Sequence, residues 1–547
     1  MNSLKVLDVT LRDGGCVNDF NFGQTYMEKI LAAQEASGVD IIEMGYIDEN
    51  KGTVSGRTQY INEQVIKQSI LKNKKPGVTY VAMMDYGKFN VDNLKPYTDD
   101  GIDGIRMAFH KKDKLDMLLL GRKIIEKGYK FYIQPMITLR YSDAELLELI
   151  NLVNKELPDA AGFYVVDSFG EMRPNDMNRI LNLVDHNLIP SMTIGFHSHN
   201  NLQMSYSNAV ALLQFPTNRD LMLDSSIMGM GKGAGNLNTE LLLEHLNLFY
   251  GKNYKIAPLL EVIDKVINQL HSEFYWGYAP EYYLSSTNHC TPSYASHFYN
   301  KHMLPIDQVG ELLGMIAEEK KVSFDKDYAE ELYRQYNESK AVDDTAVVSE
   351  LRSEFFGKRV LLVAPGKSIG TALNRIKGMI SDESIVSIGL NSTTDLGFKY
   401  LFTTRRDSYE SALTSGKNII VPSNVSKGGH GNVKVLNYAN WIEVDERTHD
   451  SSSVIAMNLL KACGVTEVLL AGFDGFCVGT ANMDIRSFQL NFEVNATIYS
   501  ERTSQKLRDA FENDMLHCQE VTEESYRQRG LSIRIREQIS RLFSPLL

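Results

Sequence analysis

Val6-Leu-Asp-Val-Thr-Leu-Arg-Asp-Gly-Gly15 decides how the rest of the chain is read. An apolar run with the pattern of a buried strand ends in Thr10, Arg12 and Asp13, immediately before two glycines. A buried arginine and aspartate at a strand end are costly unless they pair with each other, with a metal or with a charged substrate. A second stretch, Thr193-Ile-Gly-Phe-His-Ser-His-Asn-Asn201, supplies a partner. His197 and His199 are two apart, so on a strand they point to one side. One aspartate and two histidines form a divalent-metal site with positions left open for substrate.

Outward from these stretches, short apolar runs alternate with helical patterns over residues 1–254. Strands are expected at Lys5–Val9, Ile41–Met44, Thr79–Met83, Ile105–Ala108, Phe131–Met136, Gly162–Val166, Thr193–Phe196 and Leu221–Ser225. Helical patterns fall between them, among others at Gln24–Ser37 and Asp143–Lys155. Eight strand–helix units in roughly 250 residues fit a (β/α)₈ barrel. A doubly wound open sheet is the structural alternative. The polar strand ends favour the barrel, because its C-terminal mouth gathers them in one place. On that reading Thr10, Glu43, Arg106, Gln134, Asp167 and Ser168 are candidate substrate contacts. After the eighth strand comes Gly229-Met-Gly-Lys-Gly-Ala-Gly-Asn-Leu-Asn-Thr-Glu240. Its alternating glycines let backbone approach a ligand, which makes Gly229 and Gly231 substrate-binding candidates. Asn236 is placed to reach the metal or its surroundings.

Residues 255–350 read as a helical extension and linker, with the polar stretch 339–349 as the linker. The aromatic-rich segment 274–295 packs as a helical cap or lends a polar group, His289 or Tyr294, to the barrel mouth as acid/base. Residues 355–547 read as a Rossmann-like α/β domain. Arg359-Val-Leu-Leu-Val-Ala-Pro-Gly-Lys-Ser-Ile-Gly370 is a strand, a tight turn and a helix start. Gly366, Lys367 and Ser368 at that turn are candidates for holding a phosphate-bearing cofactor; the alternative is a scaffolding or dimerising domain. Gly472-Phe-Asp-Gly475 at a late strand end is a further piece of a ligand crevice.

Composition bounds the function. The chain has 547 residues and a net charge of -12, which argues against a nucleic-acid partner. Five scattered cysteines, odd in number and without CxxC spacing, read as reduced thiols, with Cys16 close to the proposed site. No signal peptide and no apolar run near the ~20 residues of a membrane helix are seen, so a cytoplasmic protein without a membrane partner is expected.

The motifs at Thr10–Gly15, Asp167–Gly170, His197-x-His199 and Gly229–Asn236 together resemble the HMG-CoA lyase-like superfamily, the DRE-TIM metallolyases. The branch with Thr-Leu-Arg-Asp-Gly after its first strand, the 4-hydroxy-2-oxovalerate aldolases, is the most similar. The resemblance implies that Asp13, His197 and His199 hold Mn²⁺ or Mg²⁺ with Asn236 as a neighbour. It implies that Arg12 stabilises an enolate oxygen, that the substrates are a 2-oxo acid and an aldehyde, and that the barrels associate as a homo-oligomer. One departure stands out. Those aldolases carry a catalytic histidine four residues after the aspartate; here that residue is Val17. The expected reaction is the metal-dependent cleavage or formation of a 4-hydroxy-2-oxo acid. The alternatives are a Claisen-type synthase using an acyl-CoA, or a barrel that binds a metabolite without catalysis. Residues 355–547 faintly resemble Rossmann-like modules of bacterial surface-glycan enzymes.

Overall fold

The computed structural model describes residues 3–473, apart from 302–303, 367, 392–395, 427, 430 and 443–450, together with the backbone of 476–479 and 495–498. The chain divides into two compact units, Met1–Tyr336 and Asn337–Leu547.

The first unit is an eight-stranded parallel barrel with one short additional strand. Its strands are β1 (Leu4–Asp8), β2 (Ile41–Ile47), β3 (Gln59–Tyr60), β4 (Thr79–Asp85), β5 (Gly104–Phe109), β6 (Lys130–Pro135), β7 (Gly162–Asp167), β8 (Thr193–Ser198) and β9 (Leu221–Ser225). β1 pairs with β9 on one side and β2 on the other, which closes the barrel, and β3 extends one end of β2. All eight expected strands are present, each within three residues of the expected ends. The helix α1 (Gln24–Ser37) ends where Gly38 turns left-handed at φ +82°.

Strand periodicity sorts the side chains into two cores. Val6, Ile42, Ala82, Ile105, Ile133, Val165, Phe196 and Leu223 face the surrounding helices. Leu7, Val9, Ile41, Val81, Tyr132, Tyr164, Val166 and Met222 form a separate cluster, which the same alternation puts inside the barrel. On the inner face each strand continues with polar residues, so the site rests on an apolar plug. β2 is interrupted by a register shift between Glu43 and Tyr46, where Gly45 has φ +141° and a Cβ would stand 2.2 Å from the Thr58 carbonyl oxygen. Only glycine fits this bulge, which turns the strand so that both Glu43 and Tyr46 reach the interior.

The helical extension belongs to the first unit as far as Tyr336. The stretch 339–349 is more ordered than a linker. Asp344 is buried and accepts hydrogen bonds from the Trp441 indole and the Asn437 amide, both at 2.8 Å, and a helix runs from Thr345 to Phe355. These residues are part of the second unit.

That unit is a six-stranded parallel sheet made of β10 (Arg359–Val363), β11 (Ile385–Leu390), β12 (Tyr400–Phe402), β13 (Asn418–Pro422), β14 (Val433–Leu436) and β15 (Glu467–Ala471), in the order β14-β13-β12-β11-β10-β15. The order reverses at β10, where a doubly wound sheet opens its crevice. Gly366 and Ser368 lie there. The Gly366 amide donates to the Gly472 carbonyl at 3.0 Å, and the helix Ile369–Ile380 starts after Ser368. Lys367, Asp474 and Gly475 fall outside the described residues. Among the described residues no helix is long and apolar enough to cross a membrane.

Candidate active site at the barrel mouth

β1 ends at Asp8, and the chain folds back at once: the amides of Arg12 and Asp13 both donate to the Val9 carbonyl, at 3.0 and 2.8 Å. This turn sets Arg12 and Asp13 over the end of the barrel. Gly15 is needed because a Cβ would meet the Phe20 ring at 2.4 Å. Across the mouth, His197 on β8 and His199 just beyond it share a face. Asp13, His197 and His199 bring one ligand atom each within 4.8 Å of one another, and all three are buried. His199 Nδ1 is 3.9 Å from Asp13 Oδ2 and has no hydrogen-bond partner. Ligands bound to one cation at about 2.1 Å stand ~3–4 Å apart, so spacing and donor set fit a divalent ion.

The protonation states fit as well. Burial works against His199's charge and lowers its pKa to about 4 despite the neighbouring Asp13, leaving a neutral imidazole. Burial also works against the Asp13 carboxylate, but Arg12 and the two histidines outweigh it and hold its pKa far below the usual range. His197 Nδ1 lies 2.9 Å from Asp224 Oδ2. An ionised carboxylate only accepts, so Nδ1 carries the proton and Nε2 keeps its lone pair for a metal. Asp224, on β9, is not among the residues expected from sequence, although it closes the run Leu221-Met-Leu-Asp224 on the inner face. Asp224→Asn is expected to weaken Mn²⁺ binding about 10- to 100-fold, read by calorimetric titration of the purified protein.

Asn236 is brought in by the glycine loop. A backbone bridge joins His199 to Asn236, and the Asn236 amide donates to the Gly229 carbonyl at 2.9 Å. Asn236 Nδ2 then donates to Asp13 Oδ2 at 2.7 Å, while its Oδ1 is buried without a partner. A Cβ on Gly231 would stand 2.3 Å from Asn236 Nδ2 and 2.7 Å from Asp13 Oδ2. Gly229 and Gly231 therefore shape the turn and leave room for the acidic ligand. Neither lines the cavity among the described residues.

Beneath the rim lies a chain of buried charges. Arg12 donates from Nε to Glu43 Oε2 and from NH1 to Asp13 Oδ1, each at 2.6 Å. Burial disfavours the guanidinium, but Glu43 and Asp13 more than compensate and keep it charged. Its NH2 is buried and unpartnered, available to a substrate oxygen. Arg106 pairs with Glu43 at 2.9 Å and with Asp224, and lies 4.7 Å above the Tyr164 ring. Glu43 and Arg106 are fully buried and do not line the cavity. They brace Arg12 and His197 from below, which corrects the expectation that they contact substrate.

Two other expected contacts are redirected by strand parity. Val166 and Ser168 face inward, so Asp167 faces out and accepts from the Glu171 and Met172 amides at 2.9 and 3.1 Å. Thr10 Oγ1 accepts from the Ile227 amide at 2.9 Å and ties the first turn to the loop after β9. Gln134 and Ser168 do line the cavity. Turned so that its oxygen faces Arg106, Gln134 accepts at 3.0 and 3.2 Å.

Burial pushes the Asp167 carboxyl up to about 7. Between the unfolded value of ~3.9 and 7, the folded protein keeps a proton that the unfolded chain has released. This contribution to stability is therefore full at low pH and lost as pH rises toward 7. Asp167→Asn should flatten that slope, so the urea midpoint of wild type falls relative to the variant between pH 5 and pH 8.

The cavity itself has a volume of about 510 Å³, room for a small organic acid. Arg12, Asp13, His197 and His199 sit along one part of its wall; Thr291, Ser293, Ser323 and Phe324 of the helical extension close it. The two acid/base candidates from that extension are elsewhere. Tyr294 is buried in an aromatic cluster with Phe298, Phe324 and Tyr328, and its hydroxyl accepts from the Asp325 amide at 3.2 Å. His289 is half exposed and pairs with Glu171 at 2.6 Å. Neither lines the cavity among the described residues. Their sequence neighbours Thr291 and Ser293 do.

Residues 108–262, from β5 through the glycine loop and beyond, match the family model described as HMGL-like. Over those residues the barrel is similar to HMGL-like domains. Members of that family are lyases and aldolases. The chain is 29% identical over 245 residues to 4-hydroxy-2-oxovalerate aldolase 2 of Comamonas testosteroni, covering 44% of this chain and 67% of that protein. A solved HMG-CoA lyase of Bacillus subtilis is 14% identical, covers 49% of this chain and 93% of its own, and superposes with a TM-score of 0.41. A separate likeness of 53% over 70 residues links the chain to cardiolipin synthase 1 of Staphylococcus aureus, over 13% of this chain and 14% of that protein. So short a share carries no activity across to the barrel.

Proposed function

We propose that the HMGL-like barrel is a divalent-metal-dependent aldolase that cleaves a 4-hydroxy-2-oxo acid to pyruvate and an aldehyde, or joins them. The observation that carries this reading is the buried Asp13–His197–His199 set beside Arg12, whose NH2 is unpartnered at the wall of a cavity sized for such an acid. Asp13, His197 and His199 would hold Mn²⁺ or Mg²⁺, which when bound supplies Lewis-acid polarisation of the 2-oxo group. The protein's own part is electrostatic. Arg12, locked by Glu43 and Asp13, keeps a fixed positive charge where the enolate oxygen develops, at no reorganisation cost. Ser168 and Gln134 offer polar contacts along the same wall, and the apolar faces of Met136, Val166 and Phe324 help exclude water. The test is deuterium incorporation into the pyruvate methyl group by Mn²⁺-loaded protein, followed by mass spectrometry, alongside cleavage of 4-hydroxy-2-oxo acids of increasing chain length. Exchange with aldehyde release supports the reading. Thiol release from acetyl-CoA plus a 2-oxo acid, without exchange in pyruvate alone, would replace it with a Claisen-type synthase.

A further inference from the structure

An aldolase needs a group that takes the proton from the 4-hydroxyl and returns one to carbon 3, and Val17 cannot. Cavity geometry narrows the search. Among the titratable side chains on the wall, Asp13, His197 and His199 form the metal set, and Arg12 is held charged by two carboxylates. Cys16 is solvent-exposed at the mouth, and the surrounding protein with the Asp13 carboxylate beside it pushes its thiol up. The Tyr46 phenol is driven higher still by burial and by Asp85, to which it is hydrogen-bonded. Asp48 accepts from the amide and side chain of Asn50, at 3.0 and 3.1 Å. Asp85 is hydrogen-bonded by Tyr46.

His110 stands apart from these. It follows β5, where the inner face reads Arg106, Ala108, His110 at strand spacing, and it lines the cavity with Ala108. No described residue hydrogen-bonds its ring; only its backbone carbonyl is engaged, by the Asp113 amide at 2.8 Å. Asp85, at the end of the adjacent strand and paired in register with Ala108, lies within electrostatic reach of both His110 and Arg12. An unengaged imidazole on a substrate-sized cavity is a side chain that can both accept and donate a proton there.

We infer that His110 is the catalytic acid/base of the barrel, taking the place of the histidine absent from the loop after Asp13. The inference rests on the aldolase reading above. In the cleavage direction, the His110 imidazole accepts the proton of the 4-hydroxyl. The C3–C4 bond breaks, its electron pair passes into the C2–C3 enolate, and the aldehyde carbonyl forms at C4. After the aldehyde leaves, the imidazolium returns the proton to C3 to give the pyruvate methyl group. The proton and electron pair balance, and no further reactant is needed. Asp85, whose own carboxyl pKa is raised by burial, lies within electrostatic reach of the imidazole; Asp48, Arg12 and Lys232 are the other charged groups on the cavity wall outside the metal set, with Lys111 and Asp113 in its own turn.

The experiment compares wild type with His110→Gln in the full chain, both loaded with Mn²⁺. Pyruvate deuterium exchange and cleavage of a 4-hydroxy-2-oxo acid are expected to fall on the order of 10²- to 10⁴-fold, with unchanged Mn²⁺ affinity by calorimetry. The acid limb of the wild-type pH–rate profile should disappear, and added imidazole should restore part of the rate in the variant alone. A variant that keeps the wild-type rate and pH profile overturns the inference while leaving the aldolase reading in place. So does a variant whose lost rate is matched by lost Mn²⁺ affinity, since the role is then structural. If wild type itself neither exchanges nor cleaves, the aldolase reading falls and takes the inference with it.

Discussion

His197→Ala is expected to abolish Mn²⁺ binding by calorimetry and to lower turnover of a 4-hydroxy-2-oxo acid by at least about 10³-fold, equivalent to several kcal/mol of lost transition-state stabilisation. The effect is large because His197 is one of three ligand atoms within 4.8 Å of one another. Its loss also removes the partner that takes the Asp224 carboxylate at 2.9 Å. The fold should survive, since Asp224 keeps Arg106 as a counter-ion. Far-ultraviolet circular dichroism close to that of wild type, together with full loss of metal, is the expected result. Retained turnover in this variant would dissociate the activity from the Asp–His–His set altogether.

The second large effect concerns stability. Arg106→Met should lower unfolding free energy by about 3–5 kcal/mol, measured by urea denaturation. Arg106 is fully buried and bridges Glu43 to Asp224, so its removal leaves two buried carboxylates sharing fewer cations. Arg12 still reaches Glu43 and His197 still reaches Asp224, which sets the loss well short of exposing two bare charges. Were Arg106 a substrate contact, the same change would raise KM with little loss of stability. The buried placement predicts the opposite: a shifted urea midpoint, with KM little changed in the folded fraction.

Arg106 illustrates how the sequence reading could be right about the rim and wrong about a residue on it. All eight strands were legible, because buried parallel strands write continuous apolar runs separated by helical periods. His197 and His199 are legible as a pair because they are two apart on a strand; Asp13, in the turn after β1, meets them only once the barrel closes. Glu43, Arg106, Asp167 and Thr10 were assigned to substrate because each closes a strand. Parity and depth separate them: Asp167 is odd where Val166 and Ser168 point in, while Glu43 and Arg106 lie one layer below the opening. His110 lies two residues beyond Ala108, where the expected strand ends, so the alternation read from sequence does not reach it.

For the helical extension, periodicity gives helices but not the side each one turns to the barrel. Tyr294 therefore looked as available as Ser293, and only packing buries the first among aromatics while the second lines the cavity. The stretch 339–349 read as a linker from its polarity, yet Asp344 is polar because it takes up the Trp441 and Asn437 donors.

The sequence alone determined the barrel and the succession of its strands, and it named Asp13, His197 and His199 as candidate ligands, since these follow from periodicity and from residue chemistry along the strands. The tertiary structure decided which polar strand ends meet the cavity, which brace it from below, and that the His110 ring has no hydrogen-bond partner among the described residues. Those outcomes depend on barrel closure and on distances between residues up to 223 positions apart, such as Asp13 and Asn236, and no local pattern carries that information.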